Sequence, residues 1–248
     1  MSTILKPVRN CNHNSTLKYI HNVRKIINIA VANDWLIKDP FLKYKSKLED
    51  TKFIYLTIEE LERIKNKPIR IPRLDLVRDL FVFSCYTGLA YADLKKLTSN
   101  QVVIGIDGEK WIQEYRKKSD IRFSIPLLPE ALEIIEKYKN DPQAVYKGKL
   151  LPVISNQRLN GYLKELADIC EIEKNLTSHV ARKTFGTTVL LNNDVPIESV
   201  SKMLGHADIR TTQKSYAKVL DKKVSDDMGK LKEKIYGQKP EIKMLVSA

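Results

Sequence analysis

The chain is poor in the residues that staple a protein together or anchor it in a membrane. Its 248 residues include three cysteines, Cys11, Cys85 and Cys170. They are odd in number, far apart and without a C-x-x-C pair, so they frame neither a disulfide scaffold nor a zinc site. Four histidines scattered among them give no metal-ligand spacing, and no metal is expected. Long apolar runs are also missing. The longest charge-free apolar stretch, Leu80 to Ala92, falls short of the ~20 residues a membrane helix needs. The opening Met1-Ser2-Thr3-Ile4-Leu5-Lys6-Pro7 has no apolar run before a small-residue cleavage site. A reducing, cytoplasmic setting is the expectation. Negative charge is the remaining deficit, since 43 Lys plus Arg stand against 30 Asp plus Glu, a net +13. That surplus favours a polyanionic partner, because each neutralised phosphate releases counterions; nucleic acid ranks ahead of an anionic membrane. With 43% hydrophobic and 29% charged residues, disorder and collagen-like repeats are excluded and a sizeable core is available.

Hydrophobic periodicity divides the chain. Leu17, Ile20, Val23, Ile26, Ile27, Ala30 and Val31 recur three or four apart, which predicts one amphipathic helix ending near Asn33-Asp34. The basic segment from Lys43 to Asp50, with Lys43, Lys45 and Lys47, has no apolar period and reads as an interdomain linker. A lone helix cannot form a core, so the apolar face of residues 1–48 must find a second domain, another chain or further N-terminal sequence. Thr57-Ile58-Glu59-Glu60 reads as a capping box opening a short helix. A longer helix is predicted over 75–86, broken by Thr87-Gly88-Leu89, with another starting near Tyr91. The period then becomes strand-like, giving three short antiparallel strands at 101–106, 111–115 and 123–126 around turns at Asp107-Gly108 and Lys118-Ser119-Asp120. Helices resume at 129–139, 158–170, 178–192, 196–204 and 211–219. A separate last helix over 221–236 carries Val224, Met228, Leu231 and Ile235 on one face. Trp35 and Trp111 are read as core, and His13 and His21 as solvated or facing a nucleic acid.

The densest chemical signal is Thr177-Ser178-His179-Val180-Ala181-Arg182, followed by Leu204-Gly205-His206, Thr211-Thr212 and Tyr216. His179 and Arg182, three apart, share a helical face near an N-terminus that itself favours an anion. Alone, each piece is weak: a solvated pair, a cap, a packed aromatic. Together, and with Thr87-Gly88-Leu89 and the basic hairpin ending in Ile125-Pro126-Leu127, they resemble the tyrosine recombinase (phage integrase) family. The wording is closest to Bacteroidetes-type integrases of mobile elements.

The resemblance spans residues 53–220. It implies a mainly α fold with a small antiparallel β-sheet: a catalytic domain at 56–220, reached through a linker at 49–55 and preceded at 1–48 by the C-terminal part of a helical core-binding domain. Residues 221–248 form a C-terminal helix and tail, suited to docking on a neighbour or packing on the same chain. The implied activity is site-specific cleavage and rejoining of duplex DNA through a 3′-phosphotyrosyl bond, without metal, ATP or other cofactor. Four protomers would assemble on two DNA sites, free protein being monomeric as one alternative, in a cytoplasmic, nucleoid-associated setting. A catalytically impaired DNA-binding module and a type IB topoisomerase are the rival readings.

The resemblance implies the following roles, with which the chemistry agrees. Tyr216 is the nucleophile, and Arg182 holds two phosphate oxygens bidentately, as Lys could not. His206 donates to the same phosphate, while His179 positions it or exchanges a proton with Tyr216. Lys118, directly before the small polar Ser119, is the candidate acid for the 5′ oxygen, with Lys117 as the alternative; Arg116 and Lys117 are read as DNA-backbone contacts, as are Lys43, Lys45 and Lys47. One position departs from the pattern: Leu89 is followed by Ala90 where most members carry an arginine. Losing such a donor typically costs ~2.7–4 kcal/mol. Arg78 is the most plausible substitute, a structural pair with Asp75 or Asp79 being its alternative, and Arg73 is a weaker one. Asp93 is expected to orient a site residue.

Overall fold

The structure, a computed structural model, describes residues 11–49, 52–116 and 121–236, with no side-chain description for 217–223 and 226. The chain divides into two compact units, residues 1–53 and 54–248.

In the first unit, helix α1 (His13–Ala32) starts where the Asn12 side chain accepts the Ser15 amide at 2.8 Å. It ends at Asn33, after which Asp34 turns left-handed at φ 56°. Thr16, Leu17 and Ile20 are buried, but Ile26 and Ile29 are exposed, and Trp35 is 74% exposed, against its reading as core. Among the described residues of this unit, one helix and a loop supply no second layer to cover an indole. The basic segment returns to the start of α1. Asn14 exchanges two hydrogen bonds with the main chain of Glu49, at 2.8 and 2.9 Å, and His13 Nε2 bonds the Lys47 carbonyl at 3.0 Å. His13 is therefore a structural clasp, while Lys43, Lys45 and Lys47 are exposed.

The second unit is built around α3. Helix α2 (Ile58–Asn66) opens with the expected capping box: Thr57 Oγ1 accepts the Glu60 amide and Glu60 Oε2 accepts the Thr57 amide at 2.7 Å. Helix α3 (Pro72–Thr87) begins three residues earlier than the apolar period suggests, because Pro72 fits the first turn. Leu74, Val77, Leu80, Phe81 and Phe83 are fully or almost fully buried along it. It stops at Gly88, whose φ of 64° suits glycine, and helix α4 (Tyr91–Lys96) follows. Strands β1 (Val102–Ile104), β2 (Lys110–Tyr115) and β3 (Arg122–Pro126) form an antiparallel sheet in that order. Ile112 and Ile125 face each other across β2 and β3 and carry its buried side. Trp111 is only half-buried, its Nε1 donating to Asp107 at 2.8 Å.

Helices α5 (Pro129–Tyr138), α6 (Pro142–Tyr146), α7 (Asn156–Ile169) and α8 (Ser178–Thr184) follow. The regular helix predicted to run on to residue 192 does not do so. It widens to π-helical turns at Phe185–Leu190 and tightens to 3₁₀ at Leu191–Asn193. Its threonines are the physical reason: Thr184 Oγ1 donates to the Val180 carbonyl and Thr187 Oγ1 to that of Lys183, bonds that bend helices. Thr188 donates to the Leu56 carbonyl and Thr184 accepts the Leu56 amide, tying the incoming chain to this bend. After α9 (Ile197–Met203) comes α10 (Ile209–Tyr236), one continuous helix of 28 residues. The expected break before residue 221 is absent because no proline or glycine occurs from 206 to 228. Val224, Met228, Leu231 and Ile235 are exposed on it. The 242–246 tail and the Lys118-Ser119-Asp120 turn lie outside the described residues.

Candidate functional site

The site is assembled by two main-chain carbonyls. Thr177 caps α8, its hydroxyl accepting the Val180 amide, and this start places Arg182 on the helix face turned inward. Arg182 is 7% exposed. Its guanidinium donates to the carbonyl of Gly88, from the turn after α3, and to that of Leu204, from the turn after α9. Both partners are neutral. They satisfy hydrogen-bonding groups without cancelling charge, and burial, with Arg116 nearby, lowers the Arg182 pKa to about 10. The group stays cationic at neutral pH.

Tyr216, in the first part of α10, is 3% exposed. A Cβ built on Gly186, four residues after Arg182, would fall 2.2 Å from the Tyr216 hydroxyl oxygen. Glycine at 186 is thus what admits the phenol. Burial pushes the Tyr216 pKa up to about 12, against the lowering effect of the Arg182 charge. His206 follows Gly205, whose φ of 59° lets the chain turn out of α9. Its Nδ1 bonds Thr212 Oγ1 at 2.7 Å, which leaves Nε2 for a ligand. Burial, then Arg182 and Arg116, lowers its pKa to about 4, so the ring is neutral in the free protein. His179 keeps an open edge; the partial burial of its ring, then Lys183, Arg182 and Arg116, holds it below its ordinary value.

Arg182, Tyr216, His206 and His179 therefore come together, and one further group joins them. Arg116, expected on the DNA-facing surface, is 14% exposed and donates from Nη1 to the same Leu204 carbonyl at 2.9 Å. Asp93, 3% exposed, lies 3.7 Å from its Nε. Asp93 thus stands beside a site arginine. Sequence reasoning misses the inward turn of Arg116 and the role of Gly186; a glycine inside a helical pattern is the available signal for the latter.

Arg78 does not join them. Its Nε and Nη2 donate to Asp79 Oδ1 at 2.9 and 2.8 Å, Nη2 also to Asp75, and Nη1 to the Lys67 carbonyl at 2.9 Å. Asp79 further accepts from Lys137 at 2.5 Å and Tyr138 at 2.9 Å. This is a satisfied ion cluster, the structural pairing that stands as the alternative to a catalytic role. Arg73 is likewise taken up, by a two-pronged pair with Glu165 at 2.7 and 2.9 Å. Lys117 and Lys118 lie outside the described residues. Among the described residues no group of His, Cys, Asp and Glu could hold a metal ion, and no helix is long and apolar enough to cross a membrane.

The chain is similar to known proteins. The family model "Phage integrase family" matches residues 55–223, and "Phage integrase SAM-like domain" matches 3–47. Tyrosine recombinase XerD of Halalkalibacterium halodurans is 31% identical over 169 residues, 64% of this chain and 55% of the relative. XerD of Staphylococcus haemolyticus is 27% identical over 217 residues, 80% of this chain and 70% of the relative. The chain thus spans a little over half the length of the first and 70% of the second. Among solved structures, a Tn1549 transposon integrase in complex with a circular intermediate DNA superposes with a TM-score of 0.67 at 15% identity, covering 87% of this chain and 78% of that one. A lambda integrase dimer bound to a COC′ core site gives 0.66 at 14% identity, covering 86% and 77%. These likenesses agree in fold, and with a family model covering the second unit up to residue 223, the chain belongs to the phage integrase family.

Proposed function

We propose that this chain cleaves and rejoins duplex DNA at specific sites, with Tyr216 as nucleophile. The observation that carries the reading is the Tyr216 hydroxyl packed over Gly186 on the same helical segment as Arg182, a buried cation whose bonded carbonyls leave its charge in place. A buried cation beside a buried phenol fits in-line attack on a phosphodiester.

Tyr216 Oη forms a bond to phosphorus as the bond to the 5′ oxygen breaks, storing the phosphodiester as a 3′-phosphotyrosine. The raised pKa of Tyr216 keeps the phenol protonated until attack, so its proton leaves during the step, to the neutral His179. Arg182 grips the non-bridging oxygens, and His206 donates from Nε2 when Thr212 donates to Nδ1. Lys118 protonates the departing 5′ oxygen, and religation reverses each transfer. Neither metal nor ATP enters this scheme, since the phosphotyrosyl bond conserves the energy of the bond broken.

The test is a nicked suicide substrate carrying the native attachment site. Wild-type protein should give a covalent adduct, and Tyr216→Phe should bind the same DNA and give none; an undiminished adduct in that variant rejects the assignment. Relaxation of arbitrary plasmid without exchange between sites would identify a topoisomerase instead. The wording of the motifs further supports an origin in a Bacteroidetes-type mobile element. Four protomers on two sites and a nucleoid location complete the proposal. The exposed apolar face of α10 is the surface suited to coupling neighbours.

A further inference from the structure

Ala90 leaves the site one arginine short of its family's pattern, and the structure holds a candidate that the sequence pattern does not indicate. We propose that Arg116 binds the scissile phosphate together with Arg182, standing in for the arginine that Ala90 replaces; this rests on the recombinase reading above.

Four independent features converge on it. Arg116 reaches in from the end of β2 to the Leu204 carbonyl that Arg182 also uses, 88 residues away in sequence. The two guanidinium groups are thereby hinged on one oxygen, an arrangement of like charges that an anion between them would relieve. Second, Arg116 Nε is the one buried side-chain polar atom that lacks a hydrogen-bond partner among the described residues. At 3.7 Å, Asp93 Oδ2 attracts it without bonding it. A buried N–H in this state is a donor waiting for an acceptor, and a phosphate oxygen is the acceptor the reaction brings. Third, the carboxylate that steadies it belongs to α4, the helix whose N-cap is Ala90. The segment that lacks the arginine thus keeps an anchor for one arriving from the sheet. Fourth, the turn at Gly205 is shaped around the Arg116 stem, since a Cβ there would stand 2.7 Å from Arg116 Cδ. The Arg116 charge is also felt by Arg182, His179 and His206, whose pKa values it lowers. Surface DNA contact would require none of this.

Chemically, a second fork beside Arg182 can share the two non-bridging oxygens and stabilise the charge that develops as Tyr216 attacks. The role is charge neutralisation at the phosphate, which makes it separable from a structural role by changing the phosphate itself. The experiment compares single-turnover covalent trapping on two suicide substrates, one with the natural scissile phosphate and one with a neutral methylphosphonate there.

Arg116→Ala should trap about 10²–10³-fold more slowly than wild type on the natural substrate, as loss of an oxyanion donor does. On methylphosphonate, which carries no charge to neutralise, it should lie within about tenfold of wild type. Arg116→Gln keeps a donor for the Leu204 carbonyl and loses the charge; it should show the same substrate dependence if the alanine variant does not fold. Equal losses on both substrates, or undiminished trapping on the natural one, overturn the proposal. Tyr216→Phe is run alongside. Absence of adduct with wild-type protein, or adduct formed by Tyr216→Phe, would reject the recombinase reading itself rather than the part given to Arg116.

Discussion

Arg182 and Arg78 show how one residue type acquires opposite uses. Arg78 meets carboxylates within its own helix, at Asp75 and Asp79, and is neutralised there; Arg182 meets carbonyls and stays charged. Arg78→Ala should therefore lower stability by about 1.5–3 kcal/mol, the range for a charged hydrogen-bonding group. Lys137 and Tyr138 remain to hold Asp79. Chemical denaturation checks this, and Ala90→Arg should not restore the loss. His206 gives a second expectation. Its pKa falls from the ordinary 6.5 to about 4 on folding. Between those values the unfolded chain binds a proton that the folded chain does not. The stability this contributes is present above pH 6.5 and is lost as pH falls through 4. Melting temperatures at pH 7 and pH 4.5 should therefore converge in His206→Asn relative to wild type; an equal fall in both proteins would contradict the burial of a neutral ring.

The elements add constraints that single residues do not show. The segment after Arg182 departs from regular helix where threonine hydroxyls take main-chain acceptors, and this departure sits where Tyr216 must fit over Gly186. π-helical turns of this kind often occur at functional sites. In Gly186→Ala the new Cβ would meet the phenol oxygen, so Tyr216 must shift by an ångström or more. A displacement of that size costs about 10²-fold in rate. Single-turnover trapping should show the loss while DNA affinity stays unchanged. Far from the site, the capping box of α2 closes both of its bonds. Thr57→Ala should cost about 1 kcal/mol in denaturation and leave cleavage per folded molecule intact, which separates a helix end that supports the fold from one that presents chemistry.

At the scale of the whole molecule, the net charge of +13 should make the proposed DNA affinity electrostatic. The logarithm of the binding constant should fall linearly with the logarithm of salt concentration, with a slope of about −0.9 per phosphate neutralised. Titrations at several salt concentrations measure it; an affinity insensitive to salt would remove the electrostatic account. Local signals in the chain carry much of the fold. Thr57 and Glu60 announce a helix start, Gly88 and Gly205 mark helix ends, and the alternation around Ile112 and Ile125 marks a small sheet, because each of these acts over a few residues. His179, Arg182, His206 and Tyr216 are legible by order and spacing. Trp35 is not, because burial depends on what covers a side chain. Nor is the continuity of α10 through residue 221, where a polar stretch resembles a stop but the backbone has no reason to end. Charge, element types and the identity of the chemical groups are thus inherent in the order of residues. Which arginine enters the site is a matter of packing. A guanidinium goes where its partners are, and Arg116 and Arg182 are claimed by a carbonyl 88 and 22 residues away, respectively, brought near by the fold rather than by any local rule.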